Sequence, residues 1–146
     1  MAETQFKRPE SVLIVVYTDA GEVLLLKRSD HPDFWQSVTG SLRWGETPPE
    51  AARRELAEET GLDCGPELVD HRRTFTFEIL KRWRHRYAPG VTHNREHLFS
   101  VELRDRMPVH IDSREHSECR WMPRHQAAVR VWSWTNREAI LDVVPA

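Results

Sequence analysis

Cysteine is scarce in this sequence: Cys64 and Cys119 are the only two in 146 residues, and they form no CxxC pair. That disfavours a disulfide scaffold or a cysteine-built zinc site and fits a reduced, cytoplasmic chain. Long apolar runs are also missing. The longest, Val12 to Tyr17, falls far short of the ~18–20 residues that span a bilayer, so no membrane association is expected. Met1 to Arg8 has neither an apolar core nor a small-residue cleavage site, so no secretory signal is read there. Excess positive charge is absent too. Lys and Arg total 21 against 23 Asp and Glu, a net charge of -2, which argues against bulk nucleic-acid binding. A small polyanion in a local pocket stays compatible with that balance. No repeat, low-complexity tract or linker interrupts the chain.

What is present describes one globular domain over residues 1–146. Hydrophobic residues make up 39% and charged residues 30%, which excludes a disordered chain. A chain of this size buries roughly two-thirds of its unfolded surface and needs no covalent staple. There are six tryptophans, enough for some to serve as stacking surfaces outside the core.

Ser11 to Tyr17 is β-branched and apolar and reads as a buried strand. Thr18-Asp19-Ala20-Gly21 carries turn chemistry, and Glu22 to Lys27 reads as its hairpin partner. Phe34 to Thr39, Glu67 to Phe77, Glu96 to Leu103 and Glu118 to Met122 are further strand candidates. Arg124 to Val131 and Asn136 to Val143 read as helices. The sum is a mixed α/β domain.

The strongest helix signal runs from Thr47 to Gly61. Thr47 is an N-cap, Glu50 completes a capping box, Pro48 suits the first position, and Gly61 suits the left-handed residue at the end. At ~100° per residue, Glu55, Glu58 and Glu59 share one face beside the apolar positions Ala52 and Leu56. Like charges at i, i+3 and i+4 repel, and a solvated acidic face is their commonest fate. Here the ridge borders the core stripe, and Arg54 stands one turn before Glu58, able to bond it. A hard divalent cation turns such repulsion into attraction, because it takes oxygen ligands and bridges to phosphate. The preceding loop, Gly40-Ser41-Leu42-Arg43-Trp44-Gly45-Glu46, carries two glycines around a short excursion.

Together these residues read Gly40, five residues, Glu46, seven residues, Arg54-Glu55-Leu56, one residue, Glu58-Glu59, one residue, Gly61-Leu62. A chance match of this length is on the order of one in 10^8 per starting point. The chain is thereby identified as resembling the Nudix hydrolase family. The resemblance implies an α/β/α sandwich with a mixed β-sheet, and Mg2+-dependent hydrolysis of a pyrophosphate linkage, with Mn2+ able to substitute.

Further pieces resemble the bacterial branch of that family that acts on a pterin triphosphate in folate synthesis and also on dATP. They are Lys7-Arg8-Pro9, Asp33 to Gly40, Phe77-Glu78-Ile79, Arg84 to Val91, Glu115-His116, and Trp134 with Asn136-Arg137. The resemblance implies metal ligands at Glu55, Glu59 and Glu115, with Glu58 at a position that often supplies another. Either Glu58 or Glu115 would take the proton of the attacking water. Substrate contacts are implied at Lys7, Arg28, Thr39, Phe77, Glu78, Ile79, Leu80 and Ser133. Lys7 and Arg28 suit phosphate oxygens. Thr39 can donate to the ligand, Phe77 can stack on a pterin or purine, and Glu78 can accept from ring amino and N–H groups.

Several alternatives stay open. A general nucleoside triphosphate or oxidised-nucleotide pyrophosphatase, or a nucleotide sensor without catalysis, would carry the same outline. In the loop Asp112 to Glu118, Glu118 could replace Glu115. Lys81-Arg82-Trp83-Arg84-His85-Arg86-Tyr87 reads as a solvated basic loop, a binder of single-stranded nucleic acid, a recruiter of triphosphate, or a dimer cap, so monomer and homodimer are both open. The family's partner is a small-molecule triphosphate, with nucleic acid disfavoured.

Overall fold

A computed structural model describes residues 5–146, so the reading of the first residues falls largely outside the described range. The chain forms β1 (Glu10–Thr18), β2 (Glu22–Arg28), β3 (Trp35–Gln36), β4 (Val38–Ser41), α1 (Pro48–Thr60) and β5 (Leu68–Glu78). A 3-10 helix (Lys81–Arg86), β6 (His93–Leu103), β7 (His116–Pro123), α2 (Arg124–Arg130) and α3 (Trp134–Val143) complete it.

The seven strands make one mixed sheet with the order β3-β2-β1-β6-β5, while β4 pairs with β1 and β7 with β2. β1 runs parallel to β6 from Glu10↔Arg95 to Thr18↔Leu103, and every other pairing is antiparallel. β1 is buried on both faces, which is why it reads as a continuous apolar run. Val12, Ile14 and Val16 pack with Ala51, Ala52 and Leu56 of α1. Leu13, Val15 and Tyr17 pack with Ala127 and Ala128 of α2 and Ala139 and Ile140 of α3. Helices therefore cover both faces, the α/β/α sandwich that the sequence implied.

α1 is closed at both ends as its sequence predicts. The Glu50 backbone N–H donates to Thr47 Oγ1 at 3.4 Å, and the Thr47 N–H donates to Glu50 Oε1 at 3.0 Å. Gly61 adopts φ 76° and donates its N–H to the Ala57 carbonyl at 2.9 Å. In this left-handed conformation a side chain would be strained.

Several elements differ from the sequence reading. The single strand expected over Phe34 to Thr39 is split at Ser37, whose N–H donates to Asn136 Oδ1 at 2.8 Å instead of joining a ladder. β6 starts at His93, three residues before the expected Glu96, because its ladder with β5 continues through Phe77↔Asn94 to Glu78↔His93. α3 starts at Trp134, with Ser133 as its N-cap accepting from the Asn136 N–H at 3.4 Å. The basic stretch 81–86 is a 3-10 helix, held by Arg84 donating to the Ile79 carbonyl at 3.0 Å. Among the described residues no helix is long and apolar enough to cross a membrane.

Candidate active site

Arg54 organises the acidic face of α1. Its Nε and Nη2 donate to the two oxygens of Glu46, both at 2.8 Å. Its Nη1 donates to Glu55 Oε1 at 2.7 Å and to Glu58 Oε2 at 3.2 Å, and its Nη2 also reaches the Ser41 carbonyl at 3.1 Å. One guanidinium thus ties Ser41 and Glu46, ahead of the helix, to two glutamates on it, Glu55 and Glu58. A two-point, charge-assisted pair is the strongest form of this interaction, and it pulls the Glu46 carboxyl down to about 2. Arg8 secures the same loop by donating to the carbonyls of Arg43 and Glu46 at 3.1 and 2.8 Å.

Glu59 is 1% exposed, and neither of its carboxylate oxygens has a hydrogen-bond partner, although the Thr39 backbone N–H approaches them. Burial raises its pKa well above the ordinary value, and the neighbouring Glu55 and Glu115 raise it further. Glu115, just before β7, is raised by burial and then by Glu55. The three carboxylates, from a helix and a distant loop, therefore lie near enough to influence one another's charge. Glu55 lies directly over β4: a Cβ on Gly40 would land on its carboxyl group. His116 places Nε2 3.5 Å from Glu59 Oε1, and burial, then Arg28, lowers the imidazole to about 4, so it is neutral at pH 7.

Among the described residues, no three His, Cys, Asp or Glu side chains are grouped closely enough to hold a metal ion by themselves. The residues still fit a hard divalent cation. They are carboxylates, two of their buried oxygens are orphaned, and Mg2+ usually keeps waters and substrate phosphates instead of a full protein shell.

These acids open into a cleft of about 1210 Å³ that crosses the end of the sheet. Lys7, Arg28, Thr39, Phe77, Glu78, Ile79, Leu80 and Ser133 all line it, as do Glu55, Glu59 and Glu115. Glu58 does not. It is half exposed and engaged by Arg43 at 3.3 Å as well as by Arg54. Glu118 is also outside, paired with Arg120 at 2.9 Å and Lys27 at 3.8 Å.

Some roles expected of these residues meet local competition. The Thr39 hydroxyl donates to the Val12 carbonyl at 2.9 Å. Arg28 makes a two-point pair with Asp30 at 2.7 and 2.8 Å and lies over the Trp83 ring, 4.8 Å from its centroid. Glu78, at the rim, accepts from Arg84 Nη2 at 2.6 Å. Lys7 is an exposed residue whose ammonium lies 5.8 Å from the centroid of the Tyr87 ring; desolvation, then Arg86 and Arg28, hold it below the ordinary lysine value.

The opposite end of the cleft is aromatic and polar. Trp132 stacks on Phe34 at 4.6 Å between centroids and donates Nε1 to Gln36 Oε1 at 3.0 Å. Asn94 and Glu96 of β6 also line this end, both buried, and sequence reading missed them. Their signal was faint: polar side chains at alternate positions where a strand face should be apolar.

The family model of the NUDIX domain matches residues 7–143, and the chain belongs to the Nudix family of hydrolases. It is 46% identical over 148 residues to the dihydroneopterin triphosphate diphosphatase of Escherichia coli (strain K12), covering 99% of this chain and 97% of that protein. It is 43% identical over 141 residues to the protein of the same name from Haemophilus influenzae, covering 93% of this chain and 87% of the relative. The solved structure of the E. coli dihydroneopterin triphosphate pyrophosphohydrolase superposes with a TM-score of 0.89 at 47% identity, covering 95% of this chain and 97% of that one. The chain is a Nudix pyrophosphohydrolase.

Proposed function

We propose that this enzyme hydrolyses dihydroneopterin triphosphate to dihydroneopterin monophosphate and pyrophosphate, using Mg2+, or Mn2+ in its place. The observation that carries the reading is one continuous cleft lined both by the carboxylates Glu55, Glu59 and Glu115 and by aromatic and polar side chains from the opposite face of the sheet. A triphosphate joined to a flat heterocycle has that polarity.

Glu55, Glu59 and Glu115 would hold the cation. When bound, it lowers the pKa of water and neutralises charge developing on the phosphate oxygens. Lys7 and Arg28 face the phosphates with positive charge, and the Arg54 bond keeps the Glu55 carboxylate in place before substrate arrives. Water attacks phosphorus, its proton passes to a carboxylate, and the anhydride P–O bond breaks to release pyrophosphate. Of the two acids that the sequence left open for that proton, Glu115 lines the cleft while Glu58 is turned to Arg43 and Arg54. We assign the general base to Glu115.

A general nucleoside triphosphate pyrophosphatase is the competing reading. The deciding experiment incubates the enzyme and Mg2+ with dihydroneopterin triphosphate and the eight common nucleoside triphosphates, with products identified by mass. Pyrophosphate release with the highest kcat/KM on the pterin supports the reading. A flat profile across nucleotides, with the pterin no better, overturns it.

A further inference from the structure

Every second residue of a strand faces the same way, so Asn94, Glu96 and Leu98 share one face of β6. Leu98 sits in the core beneath α2 and α3, so this face is opposite α1 and its acidic residues. Phe77 of β5 stands across from Asn94, Phe75 across from Glu96, and Ser11 of β1 beside Glu96. The three strands thus build a floor of two carbonyl-type acceptors between aromatic rings.

Two of the acceptor atoms on that floor are unused. Glu96 is 5% exposed and its Oε1 has no partner; Asn94 is 2% exposed and its Oδ1 has none. Asn94 spends its donor on Ser11 Oγ at 2.8 Å, and the Thr135 hydroxyl supports the Glu96 carboxyl. Both residues line the cleft. Other polar side chains at this end are engaged: Gln36 Oε1 by Trp132, Asn136 by Ser37, and Glu78 by Arg84. Buried acceptors without partners are rare in folded proteins and call for an explanation.

We infer that Glu96, assisted by Asn94, is the specificity-determining residue that reads the heterocycle, accepting the adjacent amino and ring N–H donors of a 2-amino-4-oxopyrimidine edge. The inference rests on the proposed pterin substrate and identifies what recognises it. A carboxylate presents two acceptors side by side, the complement of two neighbouring N–H donors. The Asn94 carbonyl remains for the second amino hydrogen. The six-membered ring of guanine carries the same edge. Adenine instead pairs an amino donor with a ring-nitrogen acceptor, a pattern that Glu96 matches only when protonated, with one acceptor and one donor. A site built to hydrogen-bond a donor rejects an analogue without it far more strongly than an apolar pocket rejects a change of size.

The test compares dihydroneopterin triphosphate, dGTP, dATP and dITP, the last being dGTP without its amino group, as substrates or competitors. Wild-type enzyme is expected to hold dITP about tenfold more weakly than dGTP, seen in KM or the inhibition constant. In Glu96→Gln the amide offers one acceptor and one donor, which matches adenine. The kcat/KM ratio of dGTP to dATP is then expected to fall by about tenfold or more, carried mainly by KM. Equal losses on all substrates, equal affinity for dGTP and dITP, or no binding of dGTP would each overturn the assignment. If dihydroneopterin triphosphate is not hydrolysed while dGTP and dITP are still distinguished, the proposed function falls and the reading of the edge stands. If the pterin is hydrolysed without that distinction, only the assignment of Glu96 falls.

Discussion

Gly40 of β4 lies so close beneath Glu55 of α1 that no side chain can stand between them. The helix and strand are docked at that point, with Arg54 holding the same carboxylate from the other side at 2.7 Å.

Gly40→Ala should therefore act on catalysis more than on folding. The Cβ would displace a carboxylate at the cleft edge, and misplacement by about 1 Å can cost on the order of a hundredfold in rate. We expect kcat to fall by that order while the urea midpoint moves modestly. Metal titration calorimetry should show weakened binding. An unchanged kcat would refute the docking role.

Arg54→Lys preserves the charge and loses the fork. Lysine cannot satisfy Glu46 at two points while bonding Glu55. Stability should drop by about 1–3 kcal/mol in urea denaturation at pH 7. The Glu46 carboxyl, held near 2, contributes stability above its ordinary value of 4.5 that is lost as pH falls through about 2. The gap between wild type and variant should narrow in acid. A constant gap from pH 7 to 2 would contradict this.

Glu59→Gln tests the carboxylate cluster. The fold should survive, since the amide keeps the shape of a carboxyl whose charge is already disfavoured by burial and by Glu55 and Glu115. Turnover with Mg2+ should fall by several orders of magnitude, and binding of Mn2+, followed by electron paramagnetic resonance, should weaken. Wild-type turnover would refute the assignment of the cluster as the metal site.

Glu96 gives a pH signature of opposite sign to that of Glu46. Burial raises its carboxyl from 4.5 to about 7, with Thr135 opposing. Its folded form prefers the proton, so its stabilising contribution is complete below about 4.5 and is lost as pH rises through about 7. At about 1.4 kcal/mol per unit, the loss is on the order of 3 kcal/mol in the protein without substrate. Glu96→Gln should abolish that slope, so the variant gains on wild type between pH 5 and 8. Parallel denaturation midpoints across that range would exclude it.

The sequence alone determined a mixed α/β domain, the helix Pro48–Thr60 with both its caps, and the spacing that carries the family resemblance, through which the sandwich was implied. Local chemistry suffices there: a capping box, a left-handed glycine, and a spacing set by the turn of one helix. The continuous apolar β1 likewise announced a strand covered on both faces. Only the tertiary structure separated Glu59 from Glu58. The two are adjacent in sequence, yet one is buried against His116 and the other is half exposed with two arginines. It also joined Glu115 to α1 across more than fifty residues, and placed Glu96 and Asn94 at the far end of the cleft. Polar residues in a strand read as solvent-facing until the fold shows what surrounds them. Here a binding pocket interrupts the apolar alternation that makes strands legible, and long-range packing alone decides which face of β6 it occupies.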